Sequence, residues 1–171
     1  MPTDSNKSHL QEAIAHISAI HGNVPLHRSE SKRVYSFSGL PFAEQLAIWD
    51  ELWRSNESFW LRLHAFFFLE RNMKNEARLR EMWPVIVHWQ DYVDDWGLCD
   101  ALAKIYTRIL ELAPEEVYAQ LTKWNTHPNP WMRRQSVVSL LYYSRTKKQY
   151  LSSDQIKWLI APLLTDKEYY V

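Results

Sequence analysis

The stretch Trp89-Gln90-Asp91-Tyr92-Val93-Asp94-Asp95-Trp96-Gly97-Leu98-Cys99-Asp100 sets two tryptophans seven residues apart, just ahead of an acid on an otherwise apolar segment. The same spacing recurs at Trp53 and Trp60 and at Trp124 and Trp131. First members of the pairs are separated by 36 and then 35 residues, and second members likewise. A fixed period in this range marks a helical repeat array, because one repeat cannot bury its apolar face alone and must stack on its neighbours.

Composition agrees with helices. The 171 residues are enough for one domain with a sizeable core, and three glycines are few for a turn-rich all-β fold. The single cysteine, Cys99, excludes an internal disulfide framework and fits a reducing compartment, so the expected location is the cytoplasm. No uninterrupted apolar run is long enough for a membrane span, and the N-terminus carries no secretory pattern. The seven histidines show no metal-ligand spacing, and a lone cysteine cannot build a zinc site. No metal or cofactor is therefore expected.

Net charge is zero, but its distribution is uneven. From Val117 to Ser153 there is no acid, only Lys123, Arg133, Arg134, Arg145, Lys147 and Lys148. Just ahead lie Asp91, Asp94, Asp95, Asp100, Glu111, Glu115 and Glu116 against Lys104 and Arg108. A local basic surface can hold phosphate whatever the total charge.

Along the chain, Ser8 is expected to cap a helix running to about Ile20 and ended by Gly22. Residues 23–38 read as a loop or a poorly formed helix. Pro41 opens a helix to about Arg54, and Ser55 or Asn56 caps the next, Glu57 to Glu70. That helix is apolar nearly all round, so it should be buried on several sides, with His64 a core histidine. Further helices are expected over 75–90, from Trp96 to Leu112 behind an Asp94 or Asp95 cap, from Pro114 to Trp124, and from Trp131 to about Arg145 behind Asn129 and Pro130. Ser152 or Ser153 caps a last helix through Leu164. Its partner should begin near residues 166–170, so the sequence is expected to be a truncated form of a longer protein.

The repeat makes one statement about chemistry. Second helices of stacked pairs line one side of a solenoid, usually the concave one. Asp100 lies four residues after Trp96 and Arg134 three after Trp131, each about one turn into its own second helix. The two are expected to project into one groove beside tryptophans. The plainer alternatives remain open here: Asp100 as a first-turn carboxylate favoured by the helix dipole, Trp96 and Trp131 as core residues, and Lys147 and Lys148 as a solvated loop.

Two segments carry a resemblance. Asp95-Trp-Gly-Leu-Cys-Asp100 is similar to the Asn-Trp-Asp-Leu-Val-Asp signature of the AlkD-like DNA alkylation-repair glycosylases, with Gly97 where the signature has an acid. Asn129-Pro-Trp-Met-Arg-Arg134, continuing to Arg145, resembles that family's second signature, a Trp-x-x-Arg opening a helix. The resemblance covers roughly residues 40–171. It implies an all-α, right-handed solenoid of HEAT-like antiparallel helix pairs, about eight helices in a single domain, with residues 1–38 leading and 39–171 forming the repeats. It also implies a monofunctional glycosylase that clasps double-stranded DNA and excises cationic 3- and 7-alkylpurines. Asp100 matches the catalytic carboxylate, Trp96 an aromatic of the cleft, and Arg134 the arginine on the DNA backbone. Arg133, Trp131, Arg145, Lys147 and Lys148 complete the expected DNA-binding set. A further family tryptophan belongs to a segment beyond Val171. The alternative is a non-catalytic HEAT-like scaffold binding DNA or protein partners. Oligomeric state is not indicated.

Overall fold

The computed structural model of the protein describes residues 4–55, 57–141 and 150–171. Arg145, Lys147 and Lys148 lie outside the described residues. Among the described residues all regular structure is helical. The chain divides into two compact units, Met1–Tyr92 and Val93–Val171, and in each the helices pack as antiparallel pairs in the HEAT-like manner.

The first unit holds α1 (Asp4–Ser18), α2 (Val24–Glu30), α3 (Phe42–Ser55), α4 (Phe59–Asn72) and α5 (Glu76–Ile86), then a 3-10 turn over Val87–Tyr92. Helix α4 is its centre. It contacts α1, α2, α3 and α5, and every residue from Leu61 to Leu69 is buried. A helix with apolar residues all round has no face to offer water, so it must be surrounded. The first members of two tryptophan pairs meet here. Trp53 and Trp89 stack at 4.4 Å and 14°, both without solvent access. Trp53 Nε1 donates to the Trp89 carbonyl at 3.0 Å, and Trp89 Nε1 donates to Asp50 Oδ1 at 2.8 Å. The repeat spacing thus becomes a ring stack with both indole N–H groups satisfied.

Several expected boundaries move. Helix α1 starts at Asp4, so Ser8 lies inside it; Asp and Ser suit a first turn as well as a cap. It ends at Ser18, ahead of Gly22, where the amides of Ala19 and Ile20 turn back to the carbonyls of His16 and Ile17. The segment 23–38 contains a formed helix, α2. Asn23 accepts the Leu26 amide, and Pro25 pre-sets the first turn. Helix α4 starts at Phe59 rather than Glu57, behind Ser58.

The second unit holds α6 (Trp96–Leu110), α7 (Pro114–Asn125), α8 (Pro130–Val138) and α9 (Ser153–Ile160), then a 3-10 turn over Ala161–Thr165. Helix α8 packs on α6, α7 and α9. It ends at Val138, not near Arg145. The Ser139 hydroxyl donates back to the Gln135 carbonyl at 2.8 Å, and Leu140 and Leu141 close on carbonyls three residues back. Such back-bonding competes with the helix ladder and tightens its last turn. Ser152 forms a complete capping box with Gln155 at the start of α9. Residues 166–170 form a turn rather than a helix start: Asp166 accepts the Glu168 amide at 2.9 Å, and Val171 N–H returns to the Glu168 carbonyl.

Candidate functional site

Two caps set the site in the second unit. Asp95 accepts the amides of Gly97 and Leu98 at 2.7 and 3.2 Å and launches α6. Asn129 accepts the Trp131 amide at 2.9 Å, Pro130 takes the first position, and α8 begins. Asp100 and Arg134 are each the fifth residue of their helix. Cys99 lies against Trp131 and Gln135, and Thr107 against Ser139, so α6 and α8 run in the same direction. Equal height on two parallel neighbours brings the carboxylate and the guanidinium together.

Arg134 reaches Asp100 with two donors on one oxygen. Nη2 lies 2.7 Å and Nε 3.2 Å from Oδ1. Among the described residues, Oδ2 receives no hydrogen bond, and the Asp100 side chain is 34% exposed. The third donor, Nη1, gives to the Tyr170 carbonyl at 2.6 Å. Trp96, four residues before Asp100, is 53% exposed. Trp131 is half-buried, with its ring 5.4 Å from that of Tyr170.

Arg133 points elsewhere, as a turn of about 100° per residue requires. It forms a forked pair with Asp166, Nε to Oδ2 at 2.6 Å and Nη2 to Oδ1 at 3.1 Å. Its Nη1 donates to the carbonyls of His127 and Pro128. The bond from Arg133 holds the Asp166 carboxyl below its ordinary pKa, helped by the Glu168 amide, and the same bond raises the arginine. Arg133, one of the expected DNA-binding residues, is thus held by Asp166, 33 residues on.

The structure therefore joins Asp100 to Arg134, sets Trp96 in solvent near the start of the same helix, and ties Arg133 to Asp166. Sequence reasoning missed Gln135, Asp166 and Tyr170. Gln135 carries a faint signal, an amide on the face of α8 that turns to Cys99. Asp166 is visible only as an acid near one repeat period from Arg133. Among the described residues no group of three or more His, Cys, Asp and Glu side chains could hold a metal ion, and no helix is long and apolar enough to cross a membrane.

The model of the family described as DNA alkylation repair enzyme matches residues 9–171. No curated protein and no solved structure matches the chain. With a match over nearly its whole length, this chain belongs to the DNA alkylation repair enzyme family.

Proposed function

We propose that the protein is a monofunctional DNA glycosylase that binds duplex DNA in a concave basic groove and hydrolyses the N-glycosidic bond of cationic 3- or 7-alkylpurines. Family membership supports DNA alkylation repair. The observation that carries the finer reading is the one-sided grip of Arg134 on Asp100, with Trp96 exposed nearby.

An alkylated purine already bears positive charge. When the C1′–N bond breaks, its electron pair neutralises the base, which leaves without prior protonation. The sugar becomes an oxocarbenium ion. Asp100, open at Oδ2, stabilises that cation and holds the water that adds to C1′, and the water's proton passes to the carboxylate or to solvent. Trp96 offers an aromatic face to the cationic base or sugar, worth about 0.5–2 kcal/mol. Arg134 can exchange the Tyr170 carbonyl for a phosphate while staying on Asp100. Arg133 reaches phosphate only by releasing Asp166. Trp131 lines the same end of α8, and Arg145, Lys147 and Lys148 are further phosphate contacts suggested by their place in the acid-free stretch. The chemistry needs no cofactor, and the lone Cys99 supports a cytoplasmic setting.

The test is base release from methylated duplex DNA. Asp100→Asn is expected to lower the rate constant about 100-fold or more. Equal release from the parent and Asp100→Asn would remove Asp100 from the mechanism. No release from the parent, with duplex affinity insensitive to salt, would leave a non-catalytic HEAT-like scaffold.

A further inference from the structure

Gln135 has no solvent access. A buried primary amide is costly unless its groups are paired. Here Oε1 accepts from Cys99 Sγ at 3.1 Å, and Nε2 donates to Ser139 Oγ at 2.9 Å. Ser139 in turn offers its carbonyl to the Thr107 hydroxyl, which also faces the Ala103 carbonyl. The contributors recur every four residues: Cys99, Ala103 and Thr107 on α6, and Trp131 and Gln135 on α8 with Ser139 as its C-cap. One stripe of polar contacts thus runs inside the α6–α8 interface.

Gln135 directly follows Arg134, and Cys99 directly precedes Asp100. The buried contact and the half-exposed ion pair are therefore neighbours on the same two turns. Sliding α8 by one residue moves it about 1.5 Å, and rotating it swings Arg134 off Oδ1. Apolar packing alone tolerates such small slips, while a paired amide has one register that satisfies it. The geometry points to Gln135 as a positioning residue: it fixes the height and rotation of α8 on α6, holding Arg134 on Oδ1 of Asp100 and leaving Oδ2 for substrate. Its consequence for base release rests on the glycosylase reading; the geometric claim does not.

The experiment compares the parent with Gln135→Met, which keeps the side-chain length and removes the amide. The first readout is solvent exchange of the arginine Nε–Hε protons by 15N NMR, with Arg134 assigned by its loss in Arg134→Lys. In a folded Gln135→Met, Arg134 is expected to exchange about tenfold faster. Arg133, held by Asp166, should be unchanged, which separates misplacement from general loosening. Unaltered Arg134 exchange, or equal acceleration of both arginines, would overturn the proposal. Should Gln135→Met fail to fold, Cys99→Ala removes the donor to Oε1, together with the sulfur's contact to the Trp131 carbonyl, and carries the same comparison. The second readout is single-turnover base release, expected to fall about tenfold with duplex Kd within about twofold. Loosened Arg134 with an undiminished rate would overturn the link to the reaction. Loosened Arg134 in a parent that releases no base would support the positioning and sink the glycosylase reading alone.

Discussion

Arg134 grips Asp100 on a single oxygen: Nη2 and Nε both fall on Oδ1, at 2.7 and 3.2 Å. Its neighbour does the opposite, since Arg133 takes both oxygens of Asp166 in a fork. Two adjacent arginines thus meet two carboxylates in two geometries. The fork satisfies the acid and suits a structural tie. The one-sided contact holds the acid in place while one oxygen keeps its lone pairs for something else.

Binding and chemistry should therefore separate. Asp100→Asn removes a negative charge beside the phosphate that Arg134 would take, so duplex affinity should hold or rise while base release is lost. Arg134→Gln should weaken the duplex and lower the slope of log K against log salt by about one phosphate. Anisotropy titrations at several salt concentrations read both. An Arg134→Gln slope equal to the parent's would mean that this arginine never touches the backbone.

Asp166→Asn should act on stability rather than on Asp100. In the folded chain the Asp166 carboxyl sits below its ordinary value of 3.8, chiefly through Arg133. A depressed folded pKa gives stability that is present above the unfolded pKa and is lost as pH falls through the folded one. The Asn variant should melt lower than the parent at pH 7, and the gap should close in acid. A gap that does not narrow as pH falls below 3.8 would point to lost packing or hydrogen bonding instead of charge.

The paired tryptophans divide between core and surface. Trp89 is wholly buried on Trp53, so Trp89→Ala should cost about 3–5 kcal/mol. Trp96 is 53% exposed, so Trp96→Ala should stay within about 0.5 kcal/mol of the parent. The same Trp96→Ala should weaken the transition-state interaction by about 2- to 30-fold in base release. Urea melts and release rates on both variants decide this, and a large melting loss in Trp96→Ala would make it a packing residue.

That division also shows what can be read from residues alone. The repeat is legible because Trp53, Trp89 and Trp124, buried first members of their pairs, recur at the repeat spacing. The cap at Asn129, and those at one of Asp94 or Asp95 and one of Ser152 or Ser153, are legible because short polar side chains favour a helix entry; the structure takes Asp95 and Ser152. Asp100 and Arg134 meet because both sit one turn past such a cap. The second tryptophans share one spacing but not one environment: Trp60 stacks on His27 at 3.9 Å, while Trp96 faces solvent. Helix α2 is too short to show a period, so its capping pair, Asn23 with Pro25, was the only signal. The end of α8 turns on a hydroxyl back-bond at Ser139, and the Arg133–Asp166 fork on a side-chain choice 33 residues away; neither has a local pattern.

Acid stability of the first unit turns on two facing histidines. His27 Nδ1 lies 3.1 Å from His64 Nε2, and both rings are buried. One proton between the two nitrogens serves a neutral pair; a second has no acceptor there. Burial, then His27, His16 and Arg71, push His64 down to about 3 from its ordinary 6.5, and burial lowers His27 as well. His16, from α1, also faces Tyr35 and Glu30, so protonating it adds positive charge near the pair. The unfolded chain takes up a proton at His64 as pH drops below 6.5, and the native chain does not until about 3. Stability from this group is therefore complete above 6.5 and falls toward 3, by about 1.4 kcal/mol per pH unit. His64→Gln can still bond His27 but cannot titrate. Its unfolding free energy should decline less steeply than the parent's between pH 6 and 4, by about one proton. Parallel curves from urea melts at pH 6, 5 and 4 would place the proton uptake on another group.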